Sequence, residues 1–118
     1  MFIFQNLSNI ILNTMNKEMT YEQAVKTTGT VLIEFYASWC PHCQRMMPVI
    51  KQVEDMLSGQ VPVYKYDIDI YEADSDAAGV QVVPTFIVYR NTREMWRHSG
   101  EITSRELLDA VYTSLQAD

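Results

Sequence analysis

The only two cysteines in the chain fall at Cys40 and Cys43, inside the pentapeptide Trp39-Cys40-Pro41-His42-Cys43. Two thiols separated by two residues admit three chemistries: metal ligation, a small structural disulfide, or reversible dithiol-disulfide exchange. A structural zinc site needs four ligands, and the only further imidazoles are His42, within the motif, and His98, alone. A disulfide closing so short a loop removes little entropy from the unfolded chain, and no second pair exists to build a framework. A reactive dithiol is the leading reading, with no metal.

The flanking sequence shows how such a dithiol is placed. Residues 31–37, Val-Leu-Ile-Glu-Phe-Tyr-Ala, form a β-branched and aromatic run that reads as a buried central strand, with Glu34 as its one charge. Downstream, Met46, Met47, Val49, Ile50, Val53, Met56 and Leu57 recur at helical spacing, the methionines being read as core filling, and Ser58-Gly59 supplies a stop. Pro41 suits the first turn of that helix, where a missing N–H is harmless. Cys40 then becomes the N-cap, with unpaired backbone donors aimed at its sulfur. A protonated His42 adds positive charge nearby, so the Cys40 pKa is expected below the free value of ~8.5. Cys43, one turn on and facing inward, is expected to be less exposed and less acidic. The outer thiol therefore attacks, and the inner one resolves the mixed disulfide.

Thr20-Tyr21-Glu22-Gln23 is a capping box opening a helix to about residue 28, and Thr103-Ser104-Arg105-Glu106 opens another, with Leu107, Leu108, Val111, Tyr112 and Leu115 on one face. Strand-like sequence covers 61–69, a short acidic helix 72–78, and a hairpin 82–98 turning at Asn91-Thr92. Strands alternating with helices, with a late hairpin, give an α/β class: a central mixed β-sheet flanked by helices on both faces.

At 118 residues and 47% apolar composition, one domain is expected. Nine basic against fifteen acidic residues give a net charge of −6, which disfavours nucleic acid as a partner. Residues 1–14 have no Lys or Arg and no apolar run long enough to span a membrane. They are read as an N-terminal extension ahead of a domain at 15–118, with a cut-down signal peptide or a true start at Met15 as the alternatives.

These landmarks together resemble the thioredoxin family, from about Met15 to the C-terminus. Trp39 to Cys43 is similar to the family's WCxxC motif, and Pro48 to its helix-kinking proline. Val83-Pro84-Thr85 resembles the segment whose proline is cis and faces the sulfurs. Glu34 stands where the family carries a buried Asp, and Lys65 matches the lysine near that acid. Phe35, Gly79 and Gly100 match further positions, Gly100 beside the substrate groove.

The resemblance implies a thioredoxin fold and a protein-disulfide oxidoreductase. Cys40 is its nucleophile, Cys43 its resolving thiol, and Glu34 its proton-transfer group, tuned by Lys65. His42 and Pro41 tune its redox balance, and Trp39, Val83, cis-Pro84 and Gly100 bind substrate. No cofactor beyond the Cys40-Cys43 disulfide is implied. The partners are protein disulfides or dithiols and a reductase or membrane electron donor, the chain being a monomer without stable membrane insertion.

Three departures stand out. Glu replaces Asp at 34, and Glu34 is open to a purely structural pairing with Lys65. Thr92 replaces a hairpin glycine, so the turn must avoid a positive φ or bear strain. Pro-His between the cysteines resembles periplasmic disulfide oxidases, implying a less reducing dithiol. The rival class is a redox-inactive thioredoxin-like binding or chaperone module. The cysteine usage points to the cytoplasm, with the periplasm as alternative.

Overall fold

The computed structural model describes residues 19–117; the extension expected at 1–14 lies outside them. The chain order is α1 (Tyr21–Lys26), β1 (Thr30–Tyr36), α2 (Pro41–Leu57), β2 (Val63–Asp67), α3 (Glu72–Ala77), β3 (Thr85–Arg90), β4 (Arg93–Ser99) and α4 (Ser104–Leu115). Both capping boxes form, Thr20 with Gln23 and Thr103 with Glu106, each satisfying two otherwise orphaned helix donors.

The four strands lie in the order β2-β1-β3-β4. β1 pairs parallel with β2 and antiparallel with β3, and β4 returns antiparallel along β3, so the sheet is mixed as expected. Because successive side chains alternate across a strand, two cores form. On one face Leu32, Phe86 and Val88 pack with Met46, Ile50, Val53 and Leu57 of α2 and with Leu107, Leu108 and Val111 of α4. On the other, Val31, Ile33, Phe35, Tyr66, Ile87 and Tyr89 meet Ala24 of α1 and Ala78 after α3. Each fully buried aliphatic or aromatic side chain contributes about 1.5–3 kcal/mol, which makes β1, buried from Thr30 to Phe35, the rigid centre that carries the motif.

Several local expectations are corrected. α1 stops at Lys26, where Thr27 turns extended, and not at residue 28. β2 is five residues long because Val61 and Pro62 precede its ladder, Pro62 offering only its carbonyl, to Leu32 N–H at 3.0 Å. β3 begins at Thr85 rather than 82. On α4 Tyr112 is exposed, and Ser114 takes the buried place beside Val111. Only Met46 of the three methionines assigned to the core is there; Met47 and Met56 point outward. α2 runs through Pro48 as one 17-residue helix. At the hairpin, Asn91 and Thr92 take φ values of 49° and 73°, so the turn does not avoid the left-handed region and Thr92 bears it with a β-branched side chain.

Candidate active site

β1 ends in solvent-facing turn residues, and α2 begins immediately after Cys40. With Pro41 at the first helical position, Cys40 is left as the N-cap in extended conformation. Its Sγ accepts a hydrogen bond from the Cys43 backbone N–H at 3.3 Å, which is how an N-cap side chain satisfies a free helix donor. The Cys40 thiol also lies 3.7 Å from the Val83 carbonyl, to which it donates. Both cysteines are free thiols in this structure.

Accessibility does not separate the two thiols as the sequence suggested: Cys40 is 4% exposed and Cys43 3%, because Tyr36, Ala37, Ile68 and Val83 close over both. Their surroundings do separate them. Burial pushes the Cys43 thiol up to about 12, helped by its hydrogen bond with Cys40 and opposed by a backbone contact at Ala37. Cys43 is therefore a thiol at neutral pH, and of the two sulfurs it is Cys40 that receives a helix N–H.

The loop facing the sulfurs holds a cis Val83-Pro84 peptide bond, as the resemblance implied. Thr85 fixes that loop from behind, its hydroxyl bonding to Val82 O at 2.5 Å and to Ser99 Oγ at 2.8 Å. Gly100 N–H donates to Pro84 O at 2.7 Å from a φ of +99°, a conformation that side chains beyond glycine resist. Gly100 thus ties the β4–α4 connection to the proline loop. Trp39 is 63% exposed beside the motif, its indole N–H donating to Asp69 at 2.9 Å.

Glu34, on the same face of β1 as Leu32, lies beneath the motif at 5% exposure. Burial raises its carboxyl to about 7; Lys65 pulls it down and Glu54 pushes it up, so desolvation wins. Lys65 faces Glu34 across the β1–β2 ladder, but its ammonium pairs with Glu54 of α2, at 2.6 Å. The direct Glu34–Lys65 pairing foreseen from sequence is thus corrected: a nearer, less buried carboxylate captures the lysine. A cavity of about 590 Å³ opens between these groups, lined by Glu34, Cys43, Lys65, Lys51, Met47 and Pro48.

His42 is turned aside. Its Nδ1 lies 2.7 Å from Glu101 Oε2 and 2.8 Å from Arg45 Nη2, and Arg45 in turn donates to Glu101 through Nε at 3.0 Å and Nη2 at 2.9 Å. Arg45, then His42, hold the Glu101 carboxyl down to about 2. Sequence reasoning missed Arg45, Glu101, Glu54 and Asp69. Arg45 was within reach of it, lying three residues after His42 on one helix face; Glu101 stands 59 residues away and only folding brings it there.

Among the described residues, no group of three or more His, Cys, Asp or Glu side chains is placed to hold a metal ion. Nor is any helix among them long and apolar enough to cross a membrane.

A family model described as Thioredoxin matches residues 12–113. The chain is 28% identical over 109 residues to a chloroplastic thioredoxin Y of Oryza sativa subsp. japonica, covering 89% of this chain and 65% of the relative. Against thioredoxin Y1 of Arabidopsis thaliana it is 29% identical, covering 78% of this chain and 54% of the relative, so the chain spans between about half and two-thirds of these plant proteins. A thioredoxin-like protein of Synechocystis is 35% identical over 69% of this chain and 77% of its own. Among solved structures, a mutant thioredoxin from Halobacterium salinarum superposes with a TM-score of 0.73 at 26% identity, covering 81% of this chain and 83% of the other.

Proposed function

The chain belongs to the thioredoxin family, and from that premise we propose that it is a protein-disulfide oxidoreductase working through Cys40 and Cys43. The observation that carries this is the Cys40 sulfur at the N-cap of α2, receiving the Cys43 N–H and lying against the Val83 carbonyl of the cis-proline loop. Helix donors at that position stabilise a thiolate more than a thiol.

The thiolate of Cys40 attacks one sulfur of a client disulfide. The client S–S bond breaks, a mixed disulfide forms, and one client sulfur leaves as thiolate. Cys43 then loses its proton to Glu34, directly or through a water in the cavity that both line, and attacks Cys40 Sγ. The second client thiolate leaves, and the Cys40-Cys43 disulfide remains. Two electrons have passed from the protein dithiol to the client; the reverse sequence oxidises a client dithiol. A carboxyl raised to about 7 is suited to this transfer, being partly ionised at neutral pH. Lys65 acts on Glu34 through its field while bound to Glu54. Trp39, Val83, Pro84 and Gly100 form the rim where a client chain lies, and Pro41 and His42 set the balance between oxidised and reduced forms.

The partners on this reading are protein disulfides or dithiols and a reductase or membrane donor that resets the pair; the working unit is a monomeric domain at 15–118, with 1–14 as an extension. We place it in the cytoplasm because the cysteine usage offers nothing beyond one exchangeable pair. The chloroplastic names of the rice and Arabidopsis relatives point to another compartment, and fractionation of the source cells separates the two. Turnover in insulin reduction with a small dithiol tests the activity: wild type should turn over and Cys40→Ser should not. A wild type without turnover would favour the redox-inactive binding module.

A further inference from the structure

The charged cluster at the start of α2 is not explained by packing, since His42, Arg45 and Glu101 are each substantially exposed and still converge on one carboxylate oxygen. Arg45 and His42 are contributed by the helix that presents the reactive sulfur, and the carboxylate comes from the β4–α4 connection, immediately after Gly100. We propose that Glu101 is a positioning residue for the dithiol: its carboxylate holds His42 and Arg45 and offsets the positive charge they would otherwise present to the Cys40 thiolate. This rests on the assignment of Cys40 as the attacking thiol.

The geometry sets how this works. His42 Nδ1 lies between one acceptor, Glu101 Oε2, and one donor, Arg45 Nη2. With a proton on Nδ1 the imidazole donates to Glu101; without it, Nδ1 accepts from Arg45. In both states Glu101 stays bonded to Arg45 through two nitrogens, and with the proton on Nδ1 it is bonded to His42 as well. A thiolate at the N-cap is stabilised by nearby positive charge, and the protein disulfide carries no charge to be stabilised. Cancelling positive charge therefore favours the disulfide, making the dithiol a better reductant than its Pro-His dipeptide alone would. Gly100, whose N–H holds the proline loop, sets the position of Glu101 in the same stroke.

The test is the equilibrium between protein dithiol plus glutathione disulfide and protein disulfide plus two molecules of glutathione, measured on the full chain at neutral pH and low salt. Glu101→Gln keeps the side chain's size and a hydrogen-bonding group but removes its charge. It should lower the equilibrium constant for forming the protein disulfide by roughly three- to tenfold, an effect screened toward unity at high salt. In a His42→Ala/Arg45→Met background, where nothing holds residue 101 against the helix, the same substitution should change the constant less than about twofold. An unchanged constant for Glu101→Gln, or an equal shift in both backgrounds, would overturn the inference while leaving the oxidoreductase intact. A wild type that does not equilibrate with glutathione at all would overturn both.

Discussion

The burial of Glu34 costs the fold stability when its carboxyl ionises. Its carboxyl is raised from 4.5 to about 7, so between these values the folded protein binds more protons than the unfolded chain and stability falls as pH rises. Above about pH 7 the full cost of the ionised group is present, on the order of 3 kcal/mol before any relaxation around it. Glu34→Gln should flatten the stability profile between about pH 5 and 8, and denaturant melts across that range check it. A mutant whose stability still falls with pH would locate the titration elsewhere. The same substitution should slow the resolving attack by Cys43 and spare the first attack by Cys40, which stopped-flow kinetics separates. The sequence showed that burial and Lys65 oppose one another at Glu34. It did not show which wins, because that depends on Glu54, whose approach to Lys65 is fixed by how α2 lies on the sheet.

The helices and strands were legible wherever local chemistry determines them. Both capping boxes, the proline at the start of α2 and the two-residue hairpin turn follow from residues within four positions of one another. What depends on the phase of a helix against the sheet was not: Met47 and Tyr112 fall just off the buried stripes to which their spacing assigned them. Burial of Cys40 is a related case, since a helix start reads as exposed until the proline loop is laid against it. The β3–β4 turn is where sequence and structure conflict openly. Thr92 holds φ 73°, while Asn91 beside it is anchored to Gly29 by bonds of 2.8 and 2.9 Å. Asn tolerates this region and Thr does not. Thr92→Gly should relieve the strain and stabilise the protein by about 0.5–1.5 kcal/mol after the entropy cost of an added glycine in the unfolded chain. A loss of stability in a thermal melt would mean that the Thr92 side chain makes compensating contacts.

Across the molecule, the mixed sheet and the two helical layers converge on one edge, where the end of β1, the start of α2, the Val83-Pro84 loop and Gly100 meet. That convergence was legible through the family resemblance, because spacing alone does not bring residues 40, 84 and 100 together. The electrostatic ring around it, from Asp69 to Arg45 and Glu101, was not, being made of exposed side chains whose partners are distant in sequence. Two equally buried thiols do different work at that meeting point. Trapping of clients by single-cysteine variants tells the two roles apart. Cys43→Ser keeps the attacking thiol and its N-cap while removing the resolving one, so mixed disulfides through Cys40 should accumulate with client proteins; Cys40→Ser should trap none. Equal trapping by both variants, or adducts linked through Cys43, would contradict the assignment.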